Sequence, residues 1–417
     1  MSERRISRRQ LLGGLGAAGA AGIAVGGLVG VASAERSEAT DVEANVVPFH
    51  GAHQAGIVTV RPSYLVFAAY DAIAEDRDDL RALFAAWTRE AELLTQGDPV
   101  GPVDGDVLAP PGDNGEAIGL GPANLTVTFG VGPSLFERDG VDRYGLAARR
   151  PEPLAELPVF GGDALDPARS GGDLCVQACA DDPQVAFHAV RTMTRTARGA
   201  AVIRWQQLGF LPTHARDPKA TPRNLLGFHD GTNDIRLDDR AALREHVWVG
   251  SDDGPAWMRG GTYAVTRRIR MLIEVWDRSS LDDQQQTIGR FKVTGAPLTG
   301  AREFDPPDLG AIGPEGEPTI AADAHIRLAS SAENGGARIL RRSYSFSDGV
   351  DPRLGQLDAG LFFVAFQRDP RTGFVPIQQR LAQLDALNEY IKHVGSAVFA
   401  IPPGVEPGGT IAAPLFA

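Results

Sequence analysis

An internal repeat is the feature that most constrains how this 417-residue chain can fold. Residues 174–179 and 361–366 are apolar segments that align without a gap, and each is followed at the same spacing by an Asp-Pro pair, at 182–183 and at 369–370. An apolar run, a break that contains proline and an amphipathic segment are typical of a buried strand that leads into a helix. Because this unit occurs twice, we predict two similar α+β units.

Local sequence patterns extend this prediction along the chain. With 43% apolar residues, the chain is long enough to form two packed cores. We predict a first unit over residues 47–222, a second over 223–417, and a functional or mobile loop over 295–320. Strands are predicted over 58–70, 124–131, 174–180, 262–274, 338–347, 360–367 and 396–401, and helices over 77–94, 184–198, 282–290 and 377–392.

The N-terminus has the order of residue types found in export signals. Four arginines precede an uncharged run over residues 11–31, which ends in the small residues Ala32, Ser33 and Ala34. The Arg8-Arg9 pair resembles a twin-arginine signal, so we predict recognition by the twin-arginine translocase, cleavage after Ala34 and a linker over 35–46. The mature protein would then be periplasmic, extracellular or in the cell envelope. The alternative is an uncleaved anchor, which the glycine-rich run favours less.

Charge and cysteine content exclude several classes of function. Removal of residues 1–34 takes away four Arg and one Glu, which changes the formal net charge from −12 to −15. A chain this acidic has no general attraction to nucleic acid. Its two cysteines, Cys175 and Cys179, form no CxxC motif, which argues against iron–sulfur, structural zinc and covalently attached haem. They could form a disulfide, but we favour the interpretation that both fill one face of a core strand.

A glycine-flanked acid and a histidine are the first candidate site residues. Residues 227–233 read Gly-Phe-His-Asp-Gly-Thr-Asn, and the two glycines would let the backbone around Asp230 approach a flat ligand closely. The same residues would also form an ordinary Asx-turn. His325 is one of eight histidines, and a single histidine is more often structural than a ligand.

An arginine on a predicted strand is the third candidate. Arg341 lies 16 residues after His325, and the alternation of a strand puts Arg341 and Ser343 on one face. Arg342 is then expected on the other face, towards solvent.

Together these segments resemble the dye-decolourising peroxidases, whose pattern contains Gly-x-x-Asp-Gly, a later histidine and an arginine shortly after it. The resemblance covers about residues 47–404, and its closest branch is the exported bacterial one that includes deferrochelatases. It implies a fold of two ferredoxin-like units, with one haem b per chain bound mainly by the second unit. Further segments that carry it are 49–57, 276–278, 363–370 and 390–397.

The resemblance also implies roles for individual residues. His325 is expected to be the axial ligand of the haem iron, with Asp385 as acceptor for its other ring nitrogen; alternatively, Asp385 is an exposed residue of the 377–392 helix. Asp230 is expected to move a proton between the two peroxide oxygens, Arg341 to stabilise negative charge on the leaving oxygen, and Ser343 to hold a bridging water. Contacts to the porphyrin and its propionates are expected from Gly231, Thr232, Asn233, Ser330, Ser331 and Ala332.

Three functions remain open at the level of sequence. The first is a peroxidase that reduces hydrogen peroxide and oxidises dyes, phenols or other bulky donors, with an acidic optimum because a carboxylate still accepts protons where histidine is already protonated. The second is a protein that handles haem in iron acquisition, as a carrier or by taking iron out of the porphyrin. The third is an exported α+β binding protein without haem. A homo-oligomer is compatible with each of them.

Overall fold

A closed ring of antiparallel strands organises residues 45–212 and 221–417, the part of the chain that the computed structural model describes. The predicted export signal and most of the predicted linker lie outside these residues. Within them, no helix is both long and apolar enough to cross a membrane. The strands are β1 (Tyr64–Ala72), β2 (Thr126–Val131), β3 (Leu174–Ala180), β4 (Ala201–Phe210), β5 (Thr262–Met271), β6 (Leu340–Arg341), β7 (Tyr344–Asp351), β8 (Gln356–Gln367) and β9 (Ile391–Ile401).

The α-helices flank this ring. They are α1 (Arg77–Gln96), α2 (Pro133–Phe136), α3 (Pro183–Thr196), α4 (Arg240–His246), α5 (Ile273–Trp276), α6 (Leu281–Ile288), α7 (His325–Leu328) and α8 (Phe374–Leu384). The predicted α+β class with an antiparallel sheet is therefore confirmed. Residues 46–417 form one compact unit by their contacts, and the boundary between 222 and 223 stays a prediction.

The sheet contains the same strand order twice. Its order is β5-β9-β2-β3-β1-β4-β7-β8-β6, and β8 also pairs with β5, so eight strands close into a ring. The first four strands are arranged β4-β1-β3-β2, and the strands β5, β7, β8 and β9 are arranged β9-β5-β8-β7. In both halves the fourth strand along the chain lies beside the first, the first beside the third, and the third beside the second. Single residue pairs join the two halves, Val131 with Ala400 and Phe210 with Ser345.

The interior of the ring is a packed core. The centre of the aromatic ring of Phe67 in β1 lies 5.4 Å from that of Phe362 in β8 and 5.9 Å from that of Phe399 in β9. Both halves of the sheet therefore contribute to this core. Cys175 and Cys179 are buried and unpaired in this core, which confirms that they fill a core face. Alternate residues of β1 point outwards and pack beneath α1 and α3.

Closure of the ring changes the predicted environment of Arg342. Arg341 and Arg342 do point to opposite faces. Leu340 and Tyr344, each two residues from Arg342 and therefore on the same face, belong to the core inside the ring. Arg342 is only 3% exposed, so the prediction that it faces solvent is wrong. In a closed ring the second face of a strand is enclosed, which alternation within one strand does not reveal.

Several predicted boundaries also differ from the structure. β1 begins at Tyr64 rather than at residue 58, since Pro62 has no amide hydrogen for a ladder. The second copy of the repeat starts its helix four residues later than the first, because Asp182 caps α3 whereas Asp369 accepts from the backbone and guanidinium of Arg371. The predicted 377–392 helix ends at Leu384, and β9 already begins at Ile391.

Candidate active site

A cavity of about 500 Å³ lies against the outer face of the second half of the ring. Its floor consists of outward-facing residues of β5, β8 and β9, and its sides are formed by α7, α8 and several connecting segments, among them 224–234 and 303–307. Much of this lining is apolar, including Ile269, Leu361, Phe363, Ile377 and Leu381. A largely apolar cavity of this size with a few polar groups is typical of a site for a small molecule or cofactor.

One side of the cavity presents an oriented imidazole. His325 is the first residue of α7, and its Nδ1 lies 2.6 Å from Oδ2 of Asp385. Asp385 follows the last residue of α8 with an extended backbone, and its Oδ1 accepts a hydrogen bond from the amide of Leu387 at 2.9 Å. Because the carboxylate accepts a hydrogen bond from the N–H group at Nδ1, the lone pair of Nε2 remains available for a ligand.

The alternative interpretation of Asp385 is excluded by its burial. Its exposure is 5%, and it lies beyond the end of α8 rather than on the surface of a helix. Burial lowers the pKa of His325, but the charge and hydrogen bond of Asp385 outweigh it, so that pKa is raised overall. Asp385 therefore makes the imidazole more basic and fixes its tautomer.

Two carboxylates and a guanidinium also line this cavity. Nη1 of Arg341 lies 2.9 Å from Oδ1 of Asp230, and its Nε lies 2.8 Å from Oδ1 of Asp234. Burial lowers the pKa of Arg341, yet the two carboxylates raise it overall, so the guanidinium stays charged. Burial raises the pKa of Asp234 more than Arg341 lowers it.

The glycines of the 227–233 segment have the backbone role expected of them. Gly227 has a φ of 84° and Gly231 a φ of 126°, which side chains rarely allow. A Cβ on Gly231 would lie 3.2 Å from Oδ2 of Asp234, so the absence of a side chain also leaves room for this carboxylate. The segment is thus a tight turn that presents Asp230 to the cavity.

Most of the other predicted site residues also line the cavity. These are Gly231, Thr232, Asn233, Ser330 and Ser331. Ala332 is exposed and lies outside the lining. Ser343 is buried, its Oγ accepts from the amide of Val364 at 3.4 Å, and it too is outside the lining. The predicted role of Ser343, to hold a bridging water, stays a prediction, and the position of Ser343 does not support it.

Two acidic residues of the cavity lining, Asp234 and Glu303, were not predicted from the sequence. Asp234 carries no signal beyond its position four residues after Asp230. The 295–320 loop contributes Glu303 to the lining, and Oε1 of Glu303 accepts from the hydroxyl of Thr232 at 2.9 Å. This hydrogen bond attaches the loop to the turn that holds Asp230, which agrees with the functional role predicted for a loop of that length.

A buried cluster on the cavity floor has consequences for stability. Nε of Arg267 donates to Nδ1 of His393 at 3.3 Å, and Arg267 is also paired with Asp163. Burial, followed by the charges of Arg267 and Lys392, lowers the pKa of His393 to about 3. The folded protein therefore holds this imidazole neutral over most of the accessible pH range.

We expect acid to destabilise the fold through His393. Between about pH 6.5 and 3 the unfolded chain binds a proton that the folded chain does not, so the free energy of unfolding falls as the pH falls. The expected contribution is ~2 kcal/mol between pH 6 and pH 4. Urea unfolding at several pH values should show a shallower decline for His393→Gln than for wild type or for the more exposed His246→Gln. Equal slopes in all three proteins would contradict this assignment.

Comparison with known proteins gives one consistent result. The family models described as Dyp-type peroxidase, N-terminal and C-terminal, match residues 54–211 and 221–406. A deferrochelatase of Escherichia coli (strain K12) is 40% identical over 412 residues, which cover 96% of this chain and 94% of that protein. The crystal structure of a DyP-type peroxidase from Streptomyces coelicolor superposes with a TM-score of 0.83 and 40% identity, covering 90% of this chain and 98% of the other. Ferric DtpA from Streptomyces lividans gives a TM-score of 0.82 with 40% identity and the same coverage.

Proposed function

The chain belongs to the Dyp-type peroxidase family, and from that premise we propose that its cavity binds one haem b, with Nε2 of His325 as axial ligand of the iron. As a member of this family the protein is a haem peroxidase that uses hydrogen peroxide and a reductant. The observation that carries the proposed site is the Asp385–His325 pair, which leaves one imidazole nitrogen available towards an apolar cavity.

The residues around the cavity suit a porphyrin. Its apolar lining matches the hydrophobic faces of the ring, and its volume is in the range of cofactor sites. A neutral imidazole whose second nitrogen donates to a carboxylate is a common way to hold a haem iron. Backbone and hydroxyl groups of Gly231, Thr232, Ser330 and Ser331 are available for the porphyrin edge.

Four polar side chains at the cavity then have a chemical task. Haem, when bound, supplies the redox chemistry that cleaves the O–O bond of peroxide. The carboxylate of Asp230 accepts a proton from one peroxide oxygen and returns it to the other, leaving oxygen. The Arg341 guanidinium, which remains charged, stabilises the negative charge that develops on that leaving oxygen. Asp385 keeps the proton of His325 on Nδ1.

A spectrum of the folded protein tests this proposal. The protein expressed with haem supply should show a Soret band that changes on addition of hydrogen peroxide, together with peroxide-dependent oxidation of an anthraquinone dye or a phenol. A protein without Soret absorbance would instead favour an exported binding protein that carries no haem.

Removal of haem iron is the second candidate function, because a deferrochelatase is 40% identical over nearly the whole chain. Its test is the release of free porphyrin, followed by fluorescence, from the haem-loaded protein without peroxide. Accumulation of porphyrin at a rate that exceeds dye oxidation would make haem the substrate as well as the ligand.

We expect Asp385→Asn to weaken haem retention. A neutral amide accepts the hydrogen bond from Nδ1 more weakly than a charged carboxylate does. Loss of such a partner behind a metal ligand typically costs ~10–100-fold in metal affinity. Transfer of haem to excess apomyoglobin should be faster by a similar factor. Asp323→Asn, an exposed carboxylate two residues before His325, is the matched control and should behave as wild type. Unchanged transfer from Asp385→Asn would remove Asp385 from the haem site.

Export and the relation between the two halves complete the proposal. The Arg8-Arg9 pair, the uncharged run and the small residues up to Ala34 support export by the twin-arginine translocase, with cleavage after Ala34. The shared strand order of the two halves supports their description as duplicated ferredoxin-like units.

A further inference from the structure

Arg341 is held by two carboxylates, only one of which has a task so far. Asp230 contacts Nη1 and Asp234 contacts Nε, and both carboxylates line the cavity with the guanidinium. The Asp234 contact, at 2.8 Å, joins residues 107 positions apart in the sequence. Asp234 is thus part of the same half-buried cluster as Asp230.

The contact at Nε determines how the guanidinium is oriented. A guanidinium is planar, and two partners that contact different nitrogens fix its plane, whereas a single contact leaves it free to rotate about that contact. With Nε bonded to Asp234, the plane is set and Nη1 is directed at Asp230. Without Asp234, the single contact to Asp230 would leave the guanidinium free to turn.

The turn around Asp234 is built to hold this carboxylate. The amide of Asp234 donates to the carbonyl of Gly231 at 3.1 Å, which closes the turn. Gly231 has no side chain where a Cβ would approach Oδ2 of Asp234 to 3.2 Å. The position of Asp234 is therefore set by the same backbone that presents Asp230.

We propose that Asp234 is a positioning residue, which fixes the plane of the Arg341 guanidinium so that Nη1 faces Asp230 and the space where peroxide reacts. This inference rests on the proposed function, because the reaction served is that of the haem site. Asp234 acts through Arg341 and takes no proton from peroxide itself.

A double-mutant cycle tests whether Asp234 acts through Arg341. We expect Asp234→Ala, which removes the acceptor for Nε of Arg341, to slow the single-turnover reaction with hydrogen peroxide, followed at the Soret band, on the order of tenfold, since a small displacement of a catalytic group is costly. In an Arg341→Leu background the same substitution should change the rate less than twofold. A loss of equal size in both backgrounds would show that Asp234 acts independently of Arg341 and would overturn the proposal.

The matched control removes an ion pair of the same kind at the surface. Asp238→Ala removes the contact with Arg236, four residues from Asp234, where both side chains are largely exposed. It should change the rate less than twofold. If Asp238→Ala slowed the reaction as much as Asp234→Ala, the effect would come from the charge of this loop in general, and the proposal would fail.

The crystal structure of Asp234→Ala supplies a readout that needs no turnover. We expect the Arg341 guanidinium to be rotated, with Nη1 no longer within hydrogen-bond distance of Oδ1 of Asp230. An unmoved guanidinium would overturn the proposal even if the rate had fallen. A wild-type protein without a Soret band would contradict the proposed function instead, and the orientation of Arg341 would still decide the role of Asp234.

Discussion

Asp230→Asn is expected to lower the rate of the reaction with hydrogen peroxide by ~10²–10⁴-fold, because an amide cannot carry the proton between the two oxygens. Arg341→Leu should cost ~10²–10³-fold, since it removes the charge that stabilises the leaving oxygen. Haem content, measured from the Soret band, should change little in either variant, because neither side chain holds the iron. Stopped-flow mixing with peroxide separates the rate from the haem content.

The control for both variants is Asp238→Ala, which should retain the wild-type rate. If both Asp230→Asn and Arg341→Leu reacted with peroxide at the wild-type rate, the ion pair would have to be structural. If instead both variants lost their haem, the pair would be part of the binding site and the proton-transfer role would lose its support.

His325→Ala is expected to reduce haem affinity by at least ~100-fold, because loss of the ligand exceeds the effect of losing the group behind it. The Soret band should be largely lost after gel filtration. Exogenous imidazole added with haem should restore part of the spectrum, since the cavity keeps its apolar walls and gains the space of a missing side chain. Titration of the haem-free protein with haemin, with and without imidazole, measures both effects.

His246→Ala, which removes a histidine outside this cavity, is the matched control and should bind haem as wild type does. An unchanged Soret band in His325→Ala would show that another residue holds the iron. In that case the proposed arrangement of His325, Asp230 and Arg341 around the haem would have to be abandoned.

Sequence reasoning succeeded where the relevant information is local. Alternation along the strand separated Arg341 from Arg342, and the glycine pair around Asp230 indicated a tight turn that could approach a ligand. The repeat predicted two similar α+β units, which stays a prediction that the shared strand order of the ring supports. The choice of His325 among eight histidines needed the resemblance to a family, since one histidine in an ordinary context has no local mark.

Errors arose where the outcome depends on distant parts of the chain. Asp385 was predicted inside a helix, but the helix ends just before it, and this end allows its carboxylate to reach His325. Arg342 was predicted at the surface, because no local pattern reveals that the two halves close into one ring. Asp234 was overlooked because its partner is 107 residues away.

By itself the sequence determined most strand and helix types, the α+β class and the chemical character of each site residue, because these follow from side-chain periodicity and from the groups that each residue carries. Only the tertiary structure decided which face of a strand is enclosed, which carboxylate reaches which base, and how the Arg341 guanidinium is oriented. Hydrogen bonds and ion pairs act over about 3 Å, and only folding brings residues 60 to 107 positions apart to that distance.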